Sequence, residues 1–234
     1  MNTRQSCIQL TFIREWRITR PSIYRYLDTR HVDRFFEDGS LRLGSFAHFS
    51  THKDEERRDT EEGRGCVGHM KTEGEGFAIG GIMRQGLNAY VLCGSTRYAT
   101  QLRESFGVDS GFRINDTTAF ANAISSHIPG FIWGCEGMCI YSGNDSIIRD
   151  MGDLNLNSFM SEGDDKNIQI EKVSSLLTSA AGDDLLFLKS DRFSHQNEYR
   201  MLWFCRQNIR GYIDIKCPEA REFCARLEPS EQVV

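Results

Sequence analysis

The chain has 234 residues, 39% of them hydrophobic and 11% aromatic, enough to bury the core of one domain. A formal net charge of −5 argues against a dedicated nucleic-acid binder, which would carry a basic footprint. No run approaches the roughly 18 apolar residues of a membrane-spanning helix, and Arg14 and Glu15 interrupt the stretch where a signal peptide would need an apolar core.

The eight cysteines sit mostly inside apolar runs, and without an export signal they read as free thiols of a reducing cytoplasm. Cys135 and Cys139 are the one close pair, with no His partner nearby, so a zinc site is not expected.

In chain order, residues 23–27 (IYRYL) read as a strand with Arg25 on one side and Tyr24 and Tyr26 on the other. Asp28 or Thr29 then caps a helix whose Val32, Phe35 and Phe36 share one face, and Gly39 stops it. A second strand follows, SLRLGSF, with Leu41 and Leu43 inward. The stretch HKDEERRDTEEGR, residues 52–64, carries dense charge of both signs. It is either a solvated loop or a substrate-facing one in which Arg58, Asp59 and Glu62 brace one another or a ligand. Phe49-Ser50-Thr51 leads into it.

Residues 66–83 are glycine-rich and strand-like, without the G-x-G-x-x-G turn of a dinucleotide fold. Residues 88–96 form a strand that ends in Ser95-Thr96, and a helix with Leu102 and Phe106 on one side follows, closed by Gly107. After a brief strand at 111–114, Asp116 caps a helix bearing Phe120, Ala123, Ile124 and Ile128. Residues 130–141 are strand-like, and the polar, acidic stretch 144–166 is expected to be a flexible insertion within a single domain spanning 1–234. Strands are expected at 168–173, 185–189, 198–205 and 212–216, then a helix from Pro218 to Leu227 and a frayed tail. Many short strands with a few helices and no regular βαβ alternation predict an α+β fold.

The chemistry concentrates in Lys189 to Cys205. From Glu198 the residues alternate, so the apolar set anchors in a core while Glu198 and Arg200 open onto a cleft, with Gln196 two residues earlier on the same side. Taken alone, Glu198 and Arg200 also fit an exposed ion pair of little energetic weight.

Arg25 on a first strand, Ser95-Thr96 on a middle strand and Gln196-x-Glu198 on a late one resemble the Arg–Ser–Glu signature of the ADP-ribosyltransferase superfamily. The unit IYRYLDTRHVDRFFEDGSLRLGSF, the R-x-D-x-x-E-G-like loop and the late N-E-Y-R-x-L-W strand are also similar to a group of bacterial proteins with toxin and phage-defence transferases among their relatives. The resemblance implies a bent, split mixed or antiparallel sheet with a few short helices and NAD as co-substrate. It also implies a protein or nucleic-acid acceptor, a restraining antitoxin or inhibitor, and no metal. On it, Glu198 and Gln196 are catalytic. Arg25, Tyr26, Ser95, Thr96, Ser50 and Arg58 bind the cofactor, with Ser50-Thr51 competing with Ser95-Thr96 for the middle motif. Two alternatives remain: a metal-dependent nuclease or phosphodiesterase using Asp54, Asp59, Glu62, Glu198 and Lys189, and a non-catalytic binding module.

Overall fold

The structure is a computed structural model that describes residues 21–51, 53, 55–56, 58–71, 77–149, 156–161 and 167–227. The expectations for the N-terminal stretch, for much of the acidic insertion, for Asp54 and for the tail lie outside these residues. The described chain is α+β, with antiparallel sheets and several short helices.

The first half runs β1 (Ile23–Leu27), α1 (Thr29–Asp38), β2 (Ser40–Ser45), α2 (Phe46–Ser50), β3 (Arg64–Lys71), β4 (Phe77–Arg84), β5 (Ala89–Ser95), α3 (Thr100–Ser105), β6 (Ser110–Ile114) and α4 (Thr117–Ser125). The second half runs β7 (Phe131–Met138), β8 (Ile140–Ser142), β9 (Ser146–Ile148), α5 (Ile170–Ala181), α6 (Asp184–Phe187), β10 (Leu188–Ser190), β11 (Glu198–Cys205), β12 (Ile213–Lys216) and β13 (Cys224–Arg226).

Local signals set several of these boundaries. Gly39 takes φ +76° after α1, a left-handed stop that only glycine adopts without strain, and a Cβ there would lie 2.4 Å from the Cys217 carbonyl carbon. Asp116 accepts the Ala119 amide at 2.9 Å and caps α4. At α1 the cap comes from elsewhere in the chain: Asp28 makes no capping bond, and Asp109 accepts the Thr29 amide at 2.7 Å.

The main sheet has eight strands, all paired antiparallel. β5 lies at its junction. One edge of β5 pairs with β11 from Ala89 to Ser95, while the other edge is shared, by β2 at Tyr90 and Val91 and by β1 at Ser95. β1 and β2 therefore leave β5 at different points. A smaller three-stranded sheet joins β3, β4 and β9, and β8 pairs with β10 in parallel.

One apolar cluster joins Phe35 of α1, Phe120 and Ile124 of α4, and Tyr199, Met201 and Trp203 of β11. Within it Phe35 stacks on Phe112 with ring centroids 4.6 Å apart. On the other face of β11, Leu202 and Phe204 join Phe46 and Leu186, and in a third cluster Leu177 and Ala181 of α5 cover Val67 of β3.

Three expectations are corrected. Residues 168–173 are not a strand: α5 begins at Ile170, because Val173, Leu177 and Ala181 at four-residue spacing bury one helix face. Residues 185–189 divide between α6 and β10. The closing helix is a single 3₁₀ segment, Pro218–Phe223, after which β13 turns back to pair with β6. The described cysteines are all free thiols. Among the described residues no helix is long and apolar enough to cross a membrane.

Candidate active site

β11 is buried on both faces along its whole length, so the half-exposed strand expected from its alternation is not what forms. Burial is what gives its polar residues their weight. Arg200 is 0% exposed and does not open onto a cleft. Its Nε donates to Glu198 Oε1 at 2.6 Å, its Nη1 to the Leu186 carbonyl at 2.8 Å and its Nη2 to Glu62 Oε1 at 3.1 Å. Each of the three guanidinium nitrogens thus has a buried partner, unlike in an exposed ion pair.

Glu198 is buried yet contributes to the wall of a cavity of about 150 Å³. Lys189 donates to its Oε2, and Arg200 and the Cys139 thiol (3.4 Å) donate to its Oε1. A carboxylate has about four acceptor positions, so one remains for a ligand hydroxyl. Burial opposes the negative charge, but Lys189 and Arg200 outweigh it and hold the Glu198 carboxyl well below the usual carboxylate range. Correspondingly, burial works against the Lys189 ammonium, but Glu198, with help from Glu62, outweighs it, so Lys189 stays charged. The Glu198 amide is bonded as well, donating to Tyr141 Oη at 2.7 Å.

Gln196 ends a 3₁₀ turn, Asp191–Gln196, and Asn197 reverses the chain with φ +44° before β11 starts. That geometry brings Gln196 to the same cavity. Its Oε1 accepts from Lys189 Nζ at 3.1 Å, and its Nε2 donates to the Glu56 carbonyl at 2.8 Å, which ties the charged loop to the site.

Ser95 pairs with Glu198 across one edge of β5 and with Tyr24 across the other. Arg25 is one residue further along β1 and donates to the Cys93 carbonyl at 2.6 Å. Tyr26 Oη accepts the Ala99 amide at 2.8 Å and donates to the Arg97 carbonyl at 3.1 Å. Arg25, Tyr26, Ser95, Gln196 and Glu198 therefore share one cavity wall, together with Lys189, Glu56 and Glu62.

Three expected residues lie elsewhere. Thr96 is turned to the Asn197 carbonyl at 3.2 Å, Ser50 bonds the Ala47 carbonyl at 3.0 Å, and Arg58 pairs with Glu55 at 3.3 Å; none belongs to the cavity wall. Between the two hydroxyl pairs, Ser95 is the one at the site.

From the sequence, Lys189 has a role only in the nuclease alternative, and Glu62 has one there and as a brace of the charged loop or of a ligand. Both are central. The available signal was a lysine closing the apolar run LLFLK, because a buried ammonium requires a carboxylate partner.

A second, larger recess of about 560 Å³ adjoins the cavity and shares Arg25, Leu27 and Phe49 with it. It lies where β1 and β2 separate, and Arg30, Arg34, Arg42 and Lys216 line it against Asp28 and Asp214. Compared with known proteins, the chain matches no family model, no curated protein and no solved structure.

Proposed function

We propose that this protein transfers ADP-ribose from NAD to a macromolecular acceptor, protein or nucleic acid, in the manner of an ADP-ribosyltransferase with a restraining partner. The observation that carries the reading is the register of β5. Ser95 faces Tyr24, neighbour of Arg25, on one edge and Glu198 on the other, so the three widely separated segments of the signature border one cavity.

The chemistry suits the residues. Breaking the bond between ribose and nicotinamide builds oxocarbenium-like charge on the sugar, and a carboxylate held ionised, as Glu198 is, stabilises that charge and accepts a ribose hydroxyl. Arg25 stands where the small cavity meets the basic recess, suited to the pyrophosphate. The nicotinamide ribose would occupy the cavity, and the adenosine diphosphate portion would extend along Arg34, Arg42 and Lys216. Lys189 and Arg200 orient Glu198, and Ser95 and Gln196 position the reacting groups.

The nuclease alternative has no comparable support. Glu198 is neutralised by two cations, and among the described residues the group whose ligand atoms converge closely enough for an ion is His127, Cys217 and Glu219, none of which lines the cavity.

The test is incubation of wild type and Glu198→Gln with NAD labelled in the ADP-ribose, alone and with cell lysate, after circular dichroism has shown that the variant is folded. Label entering protein or nucleic acid with wild type only is expected. Arg25→Ala is expected to weaken NAD binding about tenfold or more, from loss of a charge-assisted hydrogen bond of about 1.5–3 kcal/mol. Absence of NAD binding by wild type would remove the reading.

A further inference from the structure

Glu62 is, with Glu198, one of two buried carboxylates of the cavity wall, and the signature assigns it no part. It reaches the site from the charged loop, just before β3, and its side chain is 3% exposed. Its Oε1 accepts from Arg200 Nη2 at 3.1 Å, whereas its Oε2 is buried with no hydrogen-bond partner among the described residues. An unbonded carboxylate oxygen in a closed site is costly unless something fills its acceptor positions or it carries a proton.

We propose that Glu62 is the general base of the transfer, taking the proton of the acceptor through Oε2, and that the acceptor is therefore a hydroxyl or N–H nucleophile and not a carboxylate. This assignment rests on the ADP-ribosyltransferase reading of the same site. In the step, the acceptor oxygen or nitrogen bonds to the ribose carbon as the bond from that carbon to nicotinamide breaks. The electron pair of the broken bond stays on nicotinamide, which leaves neutral, and the acceptor proton passes to Glu62. A carboxylate acceptor has no proton to give and needs no base.

The surroundings divide the two carboxylates. Glu198 takes both close cations, Lys189 of β10 and Arg200 of β11, while Glu62 shares only Arg200. The Glu62 carboxyl is pushed up to about 7: burial is the main cause, Arg200 and Lys189 oppose it, and Glu198 and Asp59 add to the rise. The Cys93 thiol of β5 faces both carboxylates and, with burial as the main cause, stays protonated, and the remaining charged side chains of the wall are Glu56 and Arg25. One carboxylate fixed as an anion beside another that exchanges a proton near neutrality is the division of labour found where acid–base work accompanies charge stabilisation.

Glu62→Gln keeps the shape and can still accept from Arg200, so a purely structural Glu62 would tolerate it. The experiment follows NAD binding by calorimetry and label transfer from NAD between about pH 5.5 and 9, for wild type and Glu62→Gln. The wild-type rate is expected to rise through the neutral range and then level. Glu62→Gln should bind NAD within about threefold of wild type, transfer about 10²-fold or more slowly at the plateau, and lose the rise. Neutral hydroxylamine should not convert the acceptor to a hydroxamate, the product it gives with carboxylate esters. Transfer by Glu62→Gln within about threefold of wild type at every pH, an unchanged rise, or a hydroxamate left on the acceptor would overturn this assignment alone. If wild type neither binds NAD nor releases nicotinamide, the transferase reading fails and the assignment fails with it.

Discussion

The Lys189 ammonium and the Glu198 carboxylate form an ion pair in which neither side chain is more than 7% exposed. Nine residues apart in sequence, they are brought together by the 3₁₀ turn Asp191–Gln196 and the left-handed Asn197. In that setting the pair is a commitment of the fold, because each charge has given up water and depends on the other.

Lys189→Met should therefore be severe. It leaves Glu198 with Arg200 as its one close cation and deprives Gln196 of the donor to its Oε1. Removing one member of a buried pair typically costs about 3–5 kcal/mol, read as a lower urea midpoint with an unchanged m-value. A midpoint unchanged within error would show that water reaches the pair.

The two buried carboxylates of the cavity, Glu198 and Glu62, give opposite pH dependences of stability. The ordinary value for both is 4.5; that of Glu198 is lowered on folding and that of Glu62 is raised to about 7. The contribution of Glu198 is present above about pH 4.5 and is lost as pH falls below it toward its folded value. Glu62 works in the other direction: the folded state binds the extra proton, so its contribution is complete below about pH 4.5 and is lost as pH rises to about 7. Urea denaturation across pH 4.5–8 should show wild type losing stability relative to Glu62→Gln as pH rises. Parallel curves would mean that Glu62 is ionised throughout.

Gly63 takes φ +68°, and a Cβ there would lie 2.4 Å from the Gln85 carbonyl oxygen and 2.7 Å from the Phe46 ring. Its own carbonyl accepts the Gln85 amide at 2.7 Å, so this turn fixes Glu62 against the rest of the molecule. Gly63→Ala should cost about 1–2 kcal/mol from the left-handed conformation alone, with the backbone contact adding to it. The lower melting temperature should be accompanied by slower transfer, since Glu62 is displaced. Thermal melts and label transfer check both; a variant as stable as wild type would show that the turn is free to rearrange.

Much of the secondary structure was legible because its causes are local. Gly39 ends α1 through its own backbone freedom, Asp116 caps α4 through the amide three residues ahead of it, and the runs at β1, β2 and β5 are apolar at strand spacing. Where a pattern satisfied two periods, locality failed. IQIE alternates like a strand, yet Val173, Leu177 and Ala181 form a helical stripe, and burial against β3 decided for the helix.

The sequence by itself determined which residue types carry charge and chemistry, and it placed Arg25 within a strand, Ser95 at the end of one and Glu198 at the start of another. Only tertiary structure decided that β5 takes β11 on one edge and both β1 and β2 on the other, bringing Ser95 opposite Glu198. It also decided that β11 is covered on both faces, which turns Arg200 from a cleft residue into a buried clamp and makes Glu62 and Lys189 part of the site. Capping, turns and periodicity act over a few residues and leave marks in the chain. Strand partnership, burial and the electrostatics that follow from them depend on segments more than a hundred residues apart, as Glu62 and Arg200 are, and no local pattern records which will meet.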